Sequence, residues 1–378
     1  MLKTVMVGAG GYAANYVRRI LAMPEDFSLV AVVDPYATTS DQYEKFKHLP
    51  IYNQLEEFFA EHKADLAVIS TPIHRHYEQC MVALENGAHV LCEKPLVPTL
   101  PQLDQLADKV HSTNLSLAVG FQLSFASDML RIKERILSGE FGKPLCMKAI
   151  VSWHKDWAYY SRTSSWAGRR TSKDGKLVND SVASNATAHY IHNMLFLLGA
   201  TIGEAATLEN LEAECYRANK IETFDTITLR GNANGADIFY TATHAAIGAI
   251  QPLMEYKFER AVIEIDLAKA GNTCTIRHND GRVESLPINI EDGEWNKLKF
   301  TAKNIAGAGP QVCNAQTVRP VTAVLDYVFA NTPFQPFKED FVTVDMENKY
   351  VYVKDLDIHL MEGHKKRKLP SEMGFLWI

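Results

Sequence analysis

The amino-acid sequence predicts an α/β protein that begins with a doubly wound parallel sheet and continues with an α/β domain around an open, mostly antiparallel sheet. Short apolar runs alternate with amphipathic stretches in the first third of the chain. Beyond about residue 122, long strand-like runs follow one another with few helical segments between them. Since such a change of pattern accompanies a change of architecture, we place the domain boundary there, giving domains 1–122 and 123–378.

The first domain is predicted from apolar runs in which apolar and polar residues do not alternate. The predicted strands are Thr4–Val7, Leu29–Val33, Leu66–Ile69, Ala88–Leu91 and Leu117–Val119. The predicted helices are Gly10–Ile20, Leu55–His62, Tyr77–Glu85 and Leu103–Val110. Continuous apolar strands separated by helices indicate a parallel sheet that is covered on both faces, and right-handed crossovers make it doubly wound.

The second domain is predicted from longer strands separated by turn signals. The predicted strands are Leu145–Trp153, Thr207–Tyr216, Asp225–Leu229, Ala236–His244, Tyr256–Ile265 and Thr273–Ile276. The predicted helices are Ser127–Leu137, Ser184–Leu198 and Gln316–Phe329. Strands joined mostly by turns favour an antiparallel sheet.

Composition excludes several classes of partner. The 39 basic and 45 acidic residues give a net charge of −6, which argues against a nucleic-acid-binding face and against binding to an anionic membrane surface. No apolar run approaches the roughly 18–20 residues that cross a bilayer. The six cysteines are scattered without a C-x-x-C pair, so we expect reduced thiols and a cytoplasmic protein.

A glycine-rich segment follows the first predicted strand. Gly8, Gly10 and Ala13 fit the pattern G-x-G-x-x-G/A, with Gly11 and Tyr12 between them. In this pattern the first glycine allows a tight turn, the second allows backbone to approach a pyrophosphate, and the third small residue lets the helix pack on the sheet. The start of the helix adds N–H donors for phosphate. The segment predicts a dinucleotide-binding Rossmann domain.

An acidic residue ends the second predicted strand. Asp34 lies 21 positions after Ala13, where an acid accepts hydrogen bonds from the adenosine ribose hydroxyls. A 2′-phosphate would meet a like charge there, and Pro35 and Tyr36 supply no arginine to offset it. We therefore expect NAD as the cofactor, in preference to NADP.

Two further groups of residues are candidates for chemistry. Lys94 follows a predicted parallel strand, at the edge of the sheet where sites collect, and a lysine there could exchange a proton with a substrate hydroxyl. Asn185, His189 and His192 are spaced i, i+4 and i+7, which places them on one face of the predicted helix. A hydrogen-bonded helix face without catalytic function is the alternative. A metal site is not expected, since the sequence has neither H-E-x-x-H nor a thiolate cluster.

Several motifs together resemble the glucose-fructose oxidoreductase / inositol dehydrogenase (Gfo/Idh/MocA) family. The motifs are Gly8–Ala13, Val32–Pro35, Thr71–His76, Gly87–Pro95, Val119–Phe121 and Gly139–Pro144. The resemblance implies a Rossmann domain followed by an α/β domain whose open sheet forms homodimers or homotetramers. It also implies hydride transfer between the nicotinamide and a carbon of a sugar, polyol or related hydroxy compound.

The resemblance also assigns roles to individual residues. It implies that Lys94 is the catalytic lysine, that Glu93 lies near the nicotinamide ribose, and that His189 is the histidine of the second-domain motif. It implies that Thr71, Pro72 and His76 line the cofactor crevice.

The sequence departs from the family pattern in the second domain and after the Thr-Pro pair. Asn185 and His192 stand where the family usually has aspartates, and Ile73 replaces the usual asparagine. The loop Trp153–Arg170 is rich in aromatic residues and arginine. Its Tyr159, Trp166 and Arg169 could line a sugar pocket, or they could only anchor a surface loop.

Three functions are compatible with these features. The first is an NAD(P)-dependent oxidoreductase acting on CH–OH groups, with Lys94 and His189 in proton transfer. The second is a glycosidase-type enzyme that keeps its NAD bound through an oxidation, elimination and reduction cycle. The third is a dinucleotide sensor without enzymatic activity, which the retained Lys94 disfavours.

Overall fold

The computed structural model describes residues 1–161, 166–268 and 272–377. The strands are β1 (Leu2–Val7), β2 (Phe27–Val33), β3 (Ile51–Tyr52), β4 (Leu66–Ile69), β5 (His89–Cys92), β6 (Leu117–Val119), β7 (Pro144–Ser152), β8 (Glu209–Arg217), β9 (Thr226–Ala233), β10 (Ala236–Thr243), β11 (Ile250–Phe258), β12 (Ala261–Asp266), β13 (Thr273–His278), β14 (Val283–Pro287), β15 (Phe334–Pro336), β16 (Val342–Asp345) and β17 (Tyr350–Val353). The α-helices are α1 (Ala13–Leu21), α2 (Tyr43–Phe46), α3 (Leu55–Glu61), α4 (Ile73–Glu85), α5 (Leu100–Thr113), α6 (Gln122–Phe125), α7 (Ser127–Leu137), α8 (Trp157–Ser161), α9 (Ala188–Leu197), α10 (Ile290–Ile305), α11 (Ala315–Asn331), α12 (Leu356–Lys366) and α13 (Pro370–Met373).

The chain forms two compact units. The first unit contains Met1–Ala126 and Ile290–Arg319, and the second contains Ser127–Asn289 and Pro320–Ile378. Residues 290–319 therefore belong to the first unit although they lie in sequence between β14 and β15 of the second unit's sheet. Their helix α10 enters the first unit's core through Leu298, which is fully buried there.

The first unit is built on a parallel sheet with the strand order β3-β2-β1-β4-β5-β6. Its central strands are apolar on both faces, and Met6, Val68 and Leu91 are fully buried with the inner face of α1. This confirms the predicted doubly wound fold. The order reverses between β1 and β4, and in such sheets the ligand crevice lies outside the carboxyl ends of the strands at that reversal.

The second unit is built on a nine-stranded sheet with the order β14-β13-β12-β11-β7-β10-β9-β8-β15. Its pairings are antiparallel except for β7 with β10 and β8 with β15, which confirms the predicted open, mostly antiparallel sheet. On one face α9 contacts the sheet through a hydrogen bond from the Tyr256 hydroxyl to the Asn193 side chain. On the other face α12 packs through Leu360 on Ile150.

The predicted single strand Tyr256–Ile265 is wrong, because a turn at Glu259 and Arg260 divides it into β11 and β12. The backbone N–H groups of this turn donate to the carbonyl oxygens of Lys143 and Phe141. Since a distant loop satisfies the turn, the turn needs neither glycine nor proline, and the sequence carries no local signal for it.

The predicted helix Ser184–Leu198 is wrong at its start, because α9 begins at Ala188. The hydroxyls of Ser181 and Ser184 accept hydrogen bonds from each other's backbone N–H groups. Serine side chains that bind nearby backbone compete with helix formation. Asn185 therefore lies in the turn before the helix, and it does not share a helix face with His189 and His192.

Candidate functional site

The glycine loop of the first unit lies directly after β1. Gly8 has φ +91°, and a Cβ atom there would lie 2.5 Å from the carbonyl oxygen of Ser70, at the end of β4. Only glycine combines that backbone conformation with so close an approach. Gly8 therefore seats the loop against the neighbouring strand.

The next two glycines leave open space above the loop. Gly11 has φ +56°, and Cβ atoms built on Gly10 and Gly11 would meet nothing within 4 Å. Helix α1 begins immediately afterwards at Ala13, which is buried against the sheet, while Tyr12 is 41% exposed. Bare backbone before a helix start suits a pyrophosphate group, so these residues fit a dinucleotide cofactor.

Asp34 supports this loop from the end of β2. Its Oδ2 accepts a hydrogen bond from the Ala9 N–H at 2.8 Å, and its Oδ1 accepts one from the Tyr36 N–H at 2.8 Å. Each carboxylate oxygen has two lone pairs, so each retains one that could accept a ribose hydroxyl. Asp34 thus fixes the glycine loop and remains suited to the predicted contact with adenosine ribose.

His76 joins the loops that follow β4 and β5. Its Nε2 lies 2.8 Å from the Thr71 carbonyl oxygen and its Nδ1 lies 2.9 Å from the Pro95 carbonyl oxygen. The side chain is 1% exposed, and burial lowers its pKa. Thr71 and Pro72, which immediately precede α4, are half-buried. The structure shows His76 as a link between the two loops, and its contact with a cofactor stays a prediction.

Glu93 is buried at the end of β5 and carries a buried counterion. The Lys297 ammonium on α10 donates to Glu93 Oε1 at 2.9 Å, and the Tyr16 hydroxyl donates to the same oxygen at 2.7 Å. Burial alone would raise the pKa of Glu93, but Lys297, Lys94 and Tyr16 together hold that pKa below its usual value. Glu93 is therefore a carboxylate inside the first unit.

Lys94 follows Glu93 in the loop at the carboxyl edge of the sheet. Its side chain is half-buried, and its backbone N–H donates to Glu93 Oε2 at 3.2 Å. The peptide bond between Lys94 and Pro95 is cis. Sequence reasoning missed Lys297, because its only local signal is a Glu294–Lys297 spacing that is typical of exposed ion pairs on a helix.

The second unit has its own polar cluster, where parallel strands β7 and β10 end side by side. Trp153, His154 and Lys155 follow β7, and His244 follows β10. The ring centroid of Tyr159 lies 6.0 Å from that of His244 and 4.9 Å from the Lys155 ammonium. Sequence reasoning missed His154, Lys155 and His244, although their position after two neighbouring strands was a usable signal.

Asn185 belongs to this cluster. Its side-chain Nδ2 donates to the Tyr159 hydroxyl at 3.4 Å, so the structure brings these two predicted substrate residues together. His189, in the first turn of α9, is 8% exposed, and its ring contacts Tyr190 at a centroid distance of 6.5 Å.

His192 lies in the interior of the second unit. It is 1% exposed and stacks on Phe196 at a centroid distance of 5.9 Å. Burial and the nearby Lys133 ammonium lower the pKa of His192 to about 3. His192 thus lies in the core, where its surroundings favour the neutral imidazole, and its predicted contact with a substrate stays a prediction.

Trp166 and Arg169 lie in one turn of the aromatic loop, of which residues 162–165 fall outside the described residues. The Arg169 N–H donates to the Trp166 carbonyl oxygen at 3.3 Å, and the Asp180 N–H donates to the Arg169 carbonyl oxygen at 3.0 Å. Both side chains are half-buried. Their part in a sugar pocket stays a prediction.

Within the described residues, one group of side chains has the geometry of a metal site. Ligand atoms of Glu140, His278 and Glu284 lie within 4.8 Å of one another. The Arg135 guanidinium donates to both carboxylates, so both are already paired with a cation. It is an ion-pair network, and no metal is needed to explain it.

The comparisons with known proteins bear on both units. Residues 2–121 match the model of an oxidoreductase family with an NAD-binding Rossmann fold. An uncharacterised oxidoreductase of Schizosaccharomyces pombe is 31% identical over 226 residues, which is 57% of this chain and 58% of the relative. The D-glucoside 3-dehydrogenase of Escherichia coli is 29% identical over 143 residues, 38% of this chain and 41% of the relative. The matched part of the chain thus spans about half the length of these curated relatives.

Solved structures share the fold over most of the chain. A levoglucosan dehydrogenase in complex with NADH and levoglucosan superposes with a TM-score of 0.72 at 16% identity, covering 87% of this chain and 96% of the other. The WlbA dehydrogenase of Bordetella pertussis, in complex with NADH and UDP-GlcNAcA, has a TM-score of 0.71 at 18% identity, with 87% and 95% covered. Across residues 1–161, 166–268 and 272–377, no helix is both long and apolar enough to span a membrane.

Proposed function

Because the chain, through residues 2–121, belongs to the Gfo/Idh/MocA oxidoreductase family with its NAD-binding Rossmann fold, we propose that it is an NAD-dependent dehydrogenase or reductase acting on a CH–OH group of a sugar, polyol or related hydroxy compound. The observation that carries the proposal is the position of Lys94. It follows β5 at the same sheet edge as the glycine loop and Asp34, where a Rossmann cofactor and its substrate meet.

Each candidate site residue of the first unit has a distinct role in this proposal. Gly8, Gly10 and Gly11 shape the backbone that receives the pyrophosphate, and Asp34 accepts the ribose hydroxyls. When bound, the nicotinamide supplies or accepts the hydride. The Lys94 Nζ exchanges the proton of the reacting hydroxyl: the neutral amine accepts it during oxidation, and the ammonium donates it during reduction.

The candidate substrate residues of the second unit are a separate part of this proposal. The cluster of Tyr159, Asn185, Lys155 and His244 combines an aromatic ring with amide, ammonium and imidazole groups. Such a set can stack on the C–H face of a sugar and bind its hydroxyls. We include His189 as a second proton-transfer group, and Trp166, Arg169 and His192 as further substrate residues to be tested. The names of the glucoside and inositol dehydrogenases among the relatives support this substrate class.

The cofactor preference is the finer part of the proposal. The Asp34 carboxylate accepts hydrogen bonds from two backbone N–H groups, so it is held in place beside the expected ribose. A 2′-phosphate would meet this fixed negative charge at short range. We therefore propose NAD as the preferred cofactor.

One assay tests the proposal. The purified protein is screened against sugars, inositols and uronates with NAD and with NADP, and absorbance at 340 nm is followed. A substrate-dependent rise in absorbance with NAD supports it, and the Lys94→Met variant should abolish that rise. Cleavage of a glycoside without a net change at 340 nm would instead show the glycosidase-type cycle. If the protein binds NADH but turns over none of the compounds, the remaining interpretation is a dinucleotide sensor without enzymatic activity.

The assembly and location of the protein are also proposals. We propose a homodimer or homotetramer formed through the sheet of the second unit, testable by light scattering on the purified protein. All six cysteines, each within the described residues, are free and buried, which is compatible with the reducing environment of the cytoplasm.

A further inference from the structure

The core of the first unit contains an ammonium group that the proposed reaction does not use. The Lys297 side chain is fully buried, and it bonds Glu93 across 204 positions of sequence. A buried charge is tolerated only when it is paired and hydrogen-bonded. Such a group therefore has a structural or functional reason to be there.

The surroundings of Lys297 match its three N–H donors. Its Nζ lies 2.9 Å from Glu93 Oε1, 2.9 Å from the Tyr12 hydroxyl and 2.9 Å from Glu294 Oε2. The same ammonium lies 4.7 Å from the ring centroid of Tyr16. Because an ammonium has three donors, every N–H of Lys297 has an acceptor, and the group is held in a single position.

The two ends of this arrangement lie on the proposed cofactor and catalytic segments. Tyr12 belongs to the glycine loop, whereas Glu93 immediately precedes Lys94. Glu93 uses its other oxygen, Oε2, to accept the backbone N–H of Lys94. Gly120 at the end of β6 has no room for a side chain, since a Cβ atom there would lie within 2.4 Å of Glu93 Oε1. The carboxylate is thus held by hydrogen bonds to both of its oxygens and packed closely against Gly120.

We propose that Lys297 is a positioning residue that fixes the Lys94 loop and the glycine loop relative to each other, through Glu93 and Tyr12. Lys297 touches neither the reacting atoms nor the cofactor in this proposal. It keeps Glu93 anionic and immobile, and Glu93 holds the peptide that carries Lys94. The kinetic part of the proposal rests on the proposed function, and the labelling part does not.

The first experiment measures the side chain of Lys94 directly. Parent, Lys297→Met and Lys299→Met proteins react with a limiting amount of acetic anhydride, and acetylation of Lys94 is quantified by mass spectrometry. Lys299 lies on the same helix and is exposed, so Lys299→Met is the matched control. A loosened loop exposes a half-buried amine more often, so Lys94 acetylation should at least double in Lys297→Met and stay at the parental rate in Lys299→Met. Equal acetylation in all three proteins overturns the proposal, whether or not the proposed reaction is correct.

The second experiment separates positioning from simple loss of folded protein. The turnover of Lys297→Met is expressed per NADH-binding site, counted by fluorescence titration. A misplacement of about 1 Å at a reacting centre can lower the rate by about 10²-fold, so kcat per site should fall by about 10- to 100-fold. A parental kcat per site would show that Lys297 only stabilises the fold.

A double variant shows whether Lys297 and Glu93 act together. If Lys297 acts through Glu93, then kcat per site for Glu93→Gln with Lys297→Met should resemble that of the single variants. If the reductions in kcat per site of the two single variants multiply in the double variant, the residues act independently and the proposal is wrong.

Discussion

The glycine loop allows a prediction in which substitutions of two glycines in the same loop have different effects. Gly8→Ala places a methyl group 2.5 Å from the Ser70 carbonyl oxygen, on a backbone with φ +91°. Gly10→Ala places a methyl group in open space. The first change should therefore damage folding, whereas the second should damage only the binding of a dinucleotide.

The magnitude for Gly8→Ala follows from two costs. The left-handed backbone costs a residue with a side chain about 1–2 kcal/mol, and relieving a clash with rigid backbone costs about 1–3 kcal/mol. The free energy of unfolding of the first unit should thus fall by about 2–5 kcal/mol, which for a unit of this size lowers its Tm by about 4–20 °C. Calorimetry measures this value directly.

Gly10→Ala serves as the matched variant. Its Tm should equal that of the parent, because the new methyl group has no neighbour within 4 Å. Its Kd for NADH, measured by fluorescence titration, should rise by about tenfold or more, because the backbone can no longer approach the pyrophosphate. Parental NADH affinity in Gly10→Ala would refute the assignment of this loop to the cofactor, and a parental Tm in Gly8→Ala would refute the steric argument.

Three further outcomes are expected. Lys94→Met should lower kcat by about 10²–10⁴-fold with little change in the Kd for NADH. If steady-state kinetics show an unchanged kcat, Lys94 does not take part in the proton transfer. Asp34→Ser should narrow the difference between the Kd values for NAD and NADP, because it removes a fixed negative charge. It should also weaken NAD binding, because the Ala9 N–H loses its acceptor. An unchanged ratio of the two Kd values would contradict the role of Asp34. Finally, the folded-state pKa of His192 is about 3, below the unfolded value of about 6.5, so its contribution to stability is complete above pH 6.5 and is lost as pH falls towards 3. Denaturant titrations from pH 6.5 to 4 should show that His192→Phe flattens the slope of unfolding free energy against pH by about 1.4 kcal/mol per pH unit, and an unchanged slope would mean that His192 is protonated in the folded protein.

The sequence by itself determined the parallel sheet of the first unit and its cofactor loop. Strands such as Leu66–Ile69 are buried on both faces, so every residue is apolar and the signal is local. The signal from Gly8 is equally local, because this single residue must adopt the backbone conformation of the turn from strand to helix. The open antiparallel sheet of the second unit was predicted for a similar reason, since alternating strands and turns leave a pattern along the chain.

Only the tertiary structure decided which polar residues meet. Lys297 reaches Glu93 because α10 returns to the first unit after eight of the nine strands of the second unit's sheet, and no periodicity indicates such a return. Asn185 lies before α9 and not within it, because Ser181 and Ser184 bind each other's backbone. His192 is buried in the core, although its spacing from His189 suggested a shared polar face. Burial and ion pairing depend on segments far apart in sequence, whereas apolar periodicity and glycine turns depend on neighbours. That difference in range is the physical reason why the fold could be predicted more completely than the site.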